Sequence, residues 1–333
     1  MGNCSPKPKN GTRSPAAAAA KPGPIVRLYG KESCPIAWRI RVALLYKSVA
    51  VQFFPTDGPV FLRCGGEAVE GPADSLLRYI DSKFPRPPVV AVERGTAAGK
   101  AALVTALQHR SVERHVEVMV RWAAELVAGG RGGGRMEARK VGRSYGQLVE
   151  VMLEHAQMEE RLLFPALEAA ADRGVCKVAN EEHARDLPIM NGINEDIKSL
   201  VAMDAGAPCY QEALLNLSLR FKTLQEHCKE HFKEEEKELL PLLEAAERTR
   251  IGEENDTSSS FAEQVMLLME STHSHLFPFF MAGLLPHEAM QYVDLVCLCT
   301  CDQQRVVAML KSLTTLIDGT HPPSICNIPL KSL

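Results

Sequence analysis

The sequence predicts a mainly α-helical protein: a four-helix up-and-down bundle, preceded by a small α/β unit and followed by a short helical appendage. Three observations carry this. Strand-like β-branched runs are confined to residues 25–69. Beyond a stretch rich in Pro, Gly and Ala that ends near Gly99, apolar residues recur at helical spacing. Two of the helical stretches also repeat each other: Glu154 to Ala170 (EHAQMEERLLFPALEAA) and Glu230 to Ala246 (EHFKEEEKELLPLLEAA) agree at ten of seventeen positions.

Residues 1–24 combine Lys, Pro, Gly and an alanine run with almost nothing large and apolar, the composition of a disordered tail. Ile25 to Tyr29 is a strand, Pro35 to Lys47 an amphipathic helix and Val49 to Phe54 a second strand. Val60 to Arg63 and Glu67 to Val69 form a hairpin across Gly65 and Gly66, and Ala73 to Phe84 is a helix. This α/β unit spans 25–88 and a linker spans 89–99. The bundle, 100–250, begins with a helix from Lys100 to Val127. A glycine-rich loop (129–134) leads to a second helix, Arg135 to Ala171; a third runs from Asn180 to Met203 and a fourth from Pro208 to Arg248. Short connections favour antiparallel packing. A polar loop (251–260) precedes a C-terminal helical segment (261–320) with helices at Phe261 to Ser271, Pro286 to Cys299 and Asp302 to Ile317.

Composition excludes several classes. The formal charge is −3, and basic residues form no long cluster beside aromatics, so a nucleic-acid partner is not expected. No apolar run approaches the ~20 residues that cross a bilayer, and the N-terminus is polar where a signal peptide is apolar. An intracellular location, cytoplasmic or nuclear, is the expectation. Ten cysteines without framework spacing fit reduced thiols.

The repeat carries the chemistry. Residues four apart stand on one helix face, so His155 with Glu159 forms one chelating arm and His231 with Glu235 another, each beside inward apolar residues such as Leu148, Met152, Leu224 and Cys228. Imidazole nitrogens and carboxylate oxygens aimed at a bundle axis suit iron. Helix three offers His183. Helix one offers His109, followed at inward spacing by Val112, Val116 and Met119, or His115. His227, one turn before His231, is a spare ligand or an outer hydrogen-bonding group. Glu160, Glu236 and the other glutamates can accept the distal N–H groups of the ligand imidazoles. His273 and His275, two apart, do not face one way and are assigned to structure. Cys297, Cys299 and Cys301 lack a matched second cluster for zinc.

At these residues, across about 100–250, the chain resembles the hemerythrin-like HHE cation-binding family. The carriers are His109 (or His115); His155, Glu159 and Glu160 followed by Phe164 and Pro165; Glu182 and His183; and His231, Glu235 and Glu236 followed by Pro241. The resemblance implies a non-haem di-iron centre that binds dioxygen or senses iron or redox state. Oxygen-carrying members have a second histidine one turn along helix three, where this chain has Leu187. The resemblance therefore favours iron handling or sensing in a non-enzymatic protein with an unnamed protein partner.

Residues 25–84 resemble the thioredoxin-like domain of glutathione transferases and glutaredoxins, with Cys34 before Pro35 at the start of the first helix, where helix amides stabilise a thiolate. The unit is short: 54–60 leaves little room for the usual second helix, Pro59 takes the place of the family's cis-proline, and Pro72 and Ala73 replace the acidic–Ser pair that anchors glutathione. A glutathione-dependent oxidoreductase or transferase using Cys34 is the first alternative function, and a metal-free interaction scaffold the second. The opening MGNC resembles an N-myristoylation signal, with Gly2 to be acylated, Cys4 available for palmitoylation and Pro6 in place of the usual Ser or Thr; two lipids would anchor the chain to a membrane.

Overall fold

A computed structural model describes residues 25–90, 99–129, 134–170, 174–204, 206–252 and 261–318. The expected tail with Gly2 and Cys4 lies outside these residues, as does most of the linker and of both loops. In the N-terminal unit β1 (Val26–Gly30), α1 (Pro35–Tyr46) and β2 (Val51–Pro55) form a parallel crossover. β3 (Phe61–Cys64) and β4 (Glu67–Glu70) follow as a hairpin, and α2 (Ala73–Lys83) closes the unit. The sheet order is β2-β1-β3-β4, with β3 antiparallel to β1. Gly65 and Gly66 turn the hairpin with φ of 56° and 96°, values that a side chain would resist. Leu28, Ile40, Leu44, Leu62, Leu76 and Ile80 form its core. The buried ammonium of Lys47 clasps α1 to α2 through Asp81 and the Phe84 carbonyl. Among the described residues the one cis peptide bond is Arg86–Pro87, which corrects the placement of a cis-proline at Pro59.

Four helices make the bundle: α3 (Lys100–Gly129), α4 (Gly134–Met158), α6 (Lys177–Ala202) and α7 (Tyr210–Glu238). Each packs on its sequence neighbour and α7 returns to α3, closing the ring. Their directions alternate. Gln211 at the start of α7 reaches the Val127 carbonyl at the end of α3, while Glu236 at the end of α7 reaches His109 near the start of α3. Tyr145, Leu148, Leu200, Leu217, Phe221 and Leu224 fill the interior.

Two helices expected to be continuous are interrupted. The second passes through a π turn at Glu159–Leu163 before α5 (Phe164–Ala170), and the fourth breaks at Leu239 before α8 (Leu240–Gly252). Both interruptions stand just ahead of a proline, Pro165 and Pro241, whose missing N–H leaves the carbonyl a turn back without its helical donor.

The C-terminal segment also departs from expectation. The helix expected from Phe261 to Ser271 is split into α9 (Phe261–Leu268) and α10 (Glu270–Ser274), and an unanticipated α11 (Phe277–Ala282) precedes α12 (Pro286–Cys299) and α13 (Gln303–Asp318). These helices touch both other parts of the chain. α9, α11 and α12 pack on α3, whereas α12 and α13 pack on α1, where Arg39 pairs with Asp294. Among the described residues no helix is long and apolar enough to cross a membrane.

Candidate metal centre

Six side chains converge near one end of the bundle. His109 comes from α3, His155 from the last turn of α4, Glu159 from the first position of the π turn, His183 from α6, and His231 and Glu235 from α7. Their donor atoms form two groups, each mutually within 4.8 Å: His109, His155, Glu159 and Glu235, and Glu159, His183, His231 and Glu235. Both carboxylates belong to both groups. Around them His109 Nε2 lies 3.3 Å from Glu235 and 3.7 Å from Glu159, His155 Nε2 and His183 Nε2 lie 3.4 Å from Glu159, and His231 Nε2 lies 3.4 Å from Glu235.

The outer nitrogens are all engaged. Nδ1 of His109 faces Glu236 at 3.2 Å, that of His183 faces Glu160 at 3.0 Å and that of His231 faces Glu182 at 2.6 Å. His155 differs, because its Nδ1 meets the neutral amide oxygen of Gln108 at 2.8 Å. An acceptor at Nδ1 holds the proton there and leaves Nε2 as a lone pair directed inward. Nε2 of His109, His155 and His231, Oε2 of Glu159 and both oxygens of Glu235 are buried with no hydrogen-bond partner. Burial of that many unpaired polar atoms is costly unless a ligand satisfies them, and six N and O donors are the chemistry of a cation.

Electrostatics follow the same pattern. Burial opposes charge on Glu159, yet the imidazoles of His155, His109 and His183 hold its carboxyl well below the usual range. Burial and the neighbouring Glu159 push Glu235 upward. Burial opposes charge on His183, yet Glu159 and Glu160 raise it to about 9, and His109 is raised by Glu159, Glu235 and Glu236 against its burial. His155, with no carboxylate at its outer nitrogen, is lowered to about 3, chiefly by burial.

Phe232 lies flat against His109, with centroids 4.2 Å apart, and edge-on to His155. On the other flank a cavity of about 220 Å³, lined by Met152, Leu187, Met190 and Phe232, opens onto His155, His183 and His231. Leu187 lines this opening and offers no donor.

Two sequence candidates stand apart. His115 is buried on the opposite side of α3, its Nε2 donating to the Phe279 carbonyl at 2.8 Å, so it does not reach the centre. His227 is 40% exposed and pairs with Asp186 at 3.2 Å, outside both groups. Gln108 and the roles of Glu160, Glu182 and Glu236 complete the site. A neutral amide leaves no charge pattern in the sequence, so the position of Gln108 beside His109 is its one sequence signal.

Residues 104–243 match the family model of the hemerythrin HHE cation binding domain. The match takes in all six converging residues and leaves out the α/β unit and α9–α13. Cation binding is the property for which the HHE domain is named, and the His/Glu cluster within it could hold a metal. No curated protein and no solved structure matches the chain significantly.

Cys34 precedes the first residue of α1 and, partly exposed, lines a cavity of about 570 Å³ with Lys31, Ile36, Pro59 and Val60.

Proposed function

We propose that the HHE domain holds two iron ions, with His109 and His155 serving one, His183 and His231 the other, and Glu159 and Glu235 shared between them, and that the chain reports iron or redox state rather than turning over a substrate. The observation that carries this reading is the overlap of two His₂Glu₂ groups through two buried carboxylates. Bound iron would supply reversible one-electron chemistry and reactivity toward dioxygen.

The protein's own residues account for the reporting. The donors come from all four bundle helices, so cation binding ties α3, α4, α6 and α7 together at one end. Two buried carboxylates face each other there, and a cation between them removes a repulsion that the metal-free fold must bear. Anything that binds only the folded state raises its stability, so iron supply shifts the population of an intact bundle end and with it a surface open to a protein partner.

Metal analysis of protein purified with iron under anaerobic conditions tests this, two irons per chain being expected. The ferric form should absorb in the near-ultraviolet and visible where the zinc-loaded form does not. Iron should raise the melting temperature, and His155→Ala with His231→Ala should abolish the rise. No retained metal and no thermal shift would leave the metal-free scaffold instead.

The α/β unit supports a second reading, thiol chemistry at Cys34, because the side chain opens to a cavity at the head of α1. Glutathione-dependent reductase or transferase activity that Cys34→Ser abolishes is its test.

A further inference from the structure

Behind His155 a buried hydrogen-bonded chain leaves the HHE domain and ends in the C-terminal helices. His155 Nδ1 meets Gln108 Oε1 at 2.8 Å. Gln108 Nε2 donates to Met269 Sδ at 3.0 Å, and the hydroxyl of Tyr292 stands beside the same amide. That hydroxyl is 2.8 Å from His273 Nε2, and His273 Nδ1 is 3.2 Å from the carbonyl of Met266. Gln108, Tyr292, His273 and Met269 are all buried, so water does not scramble the order.

The far end fixes the direction of every proton. A carbonyl only accepts, so Nδ1 of His273 carries hydrogen. Burial keeps His273 neutral, which makes its Nε2 an acceptor. The Tyr292 hydroxyl therefore donates to His273 and turns only lone pairs toward the Gln108 amide beside it. Met269 Sδ, also an acceptor, holds the same amide face. Gln108 must then present its oxygen to His155, whose proton is confined to Nδ1 and whose Nε2 lone pair faces the carboxylates. The reverse order would set an unprotonated His273 Nδ1 against the Met266 carbonyl.

We infer that α9–α12, which lie outside the HHE match, fix the tautomer of His155 through the relay Met266–His273–Tyr292–Gln108, making Tyr292, Met269 and Gln108 positioning residues for the metal centre. The same helical turn is docked independently: the Glu154 carboxylate accepts the backbone N–H groups of Ser271 and Thr272 at 2.7 and 2.8 Å. The other three site histidines need no relay, since each meets a carboxylate that can only accept. The consequence for metal affinity rests on His155 being a ligand; the tautomer does not.

The test separates the two. In full-length metal-free protein with isotope-labelled histidine, a long-range proton–nitrogen NMR correlation, assigned with His155→Gln, should show His155 protonated at Nδ1 alone. The Tyr292→Phe/Met269→Leu variant removes both acceptors of the Gln108 amide, and His155 should then populate both tautomers. Iron affinity should fall about tenfold, a typical loss for an outer hydrogen-bonding partner. Adding Gln108→Glu, an acceptor in either orientation, should restore the Nδ1 form and the affinity. An unchanged tautomer in the double variant overturns the inference, as does failure of Gln108→Glu to restore it in protein that folds. The expected tautomer shift without iron binding in the wild type would uphold the relay and remove only the proposed function.

Discussion

Glu182 Oε2 lies 2.6 Å from His231 Nδ1, and the next residue along α6, His183, belongs to the donor cluster itself. Two consecutive residues of one helix thus serve the centre from different sides. His183 offers a nitrogen, and Glu182 orients a histidine on the neighbouring helix.

Replacing Glu182 should weaken metal binding while leaving the fold intact. Competition against a chelator should give about tenfold lower affinity for Glu182→Gln, with Glu182→Ala weaker still. Glu160→Gln and Glu236→Gln should act in the same direction through His183 and His109. Glu181→Gln serves as the control, since Glu181 is exposed and pairs only loosely with Lys177 at 3.7 Å. Equal losses in all four glutamine variants, Glu181→Gln included, would remove the orienting role.

Gly283, at the end of α11, lies hard against α3. A Cβ there would come within 2.6 Å of Ser111 Oγ, 2.7 Å of the Ser111 carbonyl and 2.8 Å of the His115 ring. Gly283→Ala should therefore destabilise the protein by about 1–3 kcal/mol, the usual effect of overpacking. Thermal melts measure it, and the loss should appear with or without metal because the contact lies on the face of α3 turned away from His109.

Acid should loosen the same interface. His115 and His273 are buried and neutral, each lowered from 6.5 to about 4 by burial. The unfolded chain takes up protons on these rings below about 6.5, while the folded protein refuses them until about 4. Stability from this source is thus complete above the upper value and declines as pH falls through that window, by roughly 3 kcal/mol per histidine at most. Melting temperatures across the window should fall less steeply in His115→Gln, whose amide can still donate to the Phe279 carbonyl, than in the wild type.

The bundle and its donor cluster were legible because they rest on local patterns. Helical spacing places His155 with Glu159 and His231 with Glu235 whatever else the chain does, and the duplication marked them as more than surface charge. Orientation around the cluster was legible only as a general role for glutamates, since the pairings of Glu182 with His231 and Glu160 with His183 depend on how α4, α6 and α7 abut. His115 could not be placed because its partner, the Phe279 carbonyl, lies 164 residues away. α11 escaped notice because Phe-Pro-Phe-Phe is apolar on every side and shows no period. Pro165 alone does not foretell a π turn at Glu159, since the matching arm, with Pro241 at the equivalent place, carries the same residues on an ordinary helix.

The two arms are near copies, but their surroundings are not. All four residues of the His109/His155 group are buried, while in the other group His183 is partly exposed where the cavity it shares with His155 and His231 opens past Leu187. The two irons proposed above would, so placed, differ in residence rather than in ligand type. A chelator should strip the loaded protein in two phases, the ion beside His183 leaving first and the one beneath Phe232 slowly. Widening the mouth with Leu187→Ala should hasten the fast phase alone. An inner ion that stays and an outer ion that exchanges would let one centre keep its shape while sampling the free iron around it.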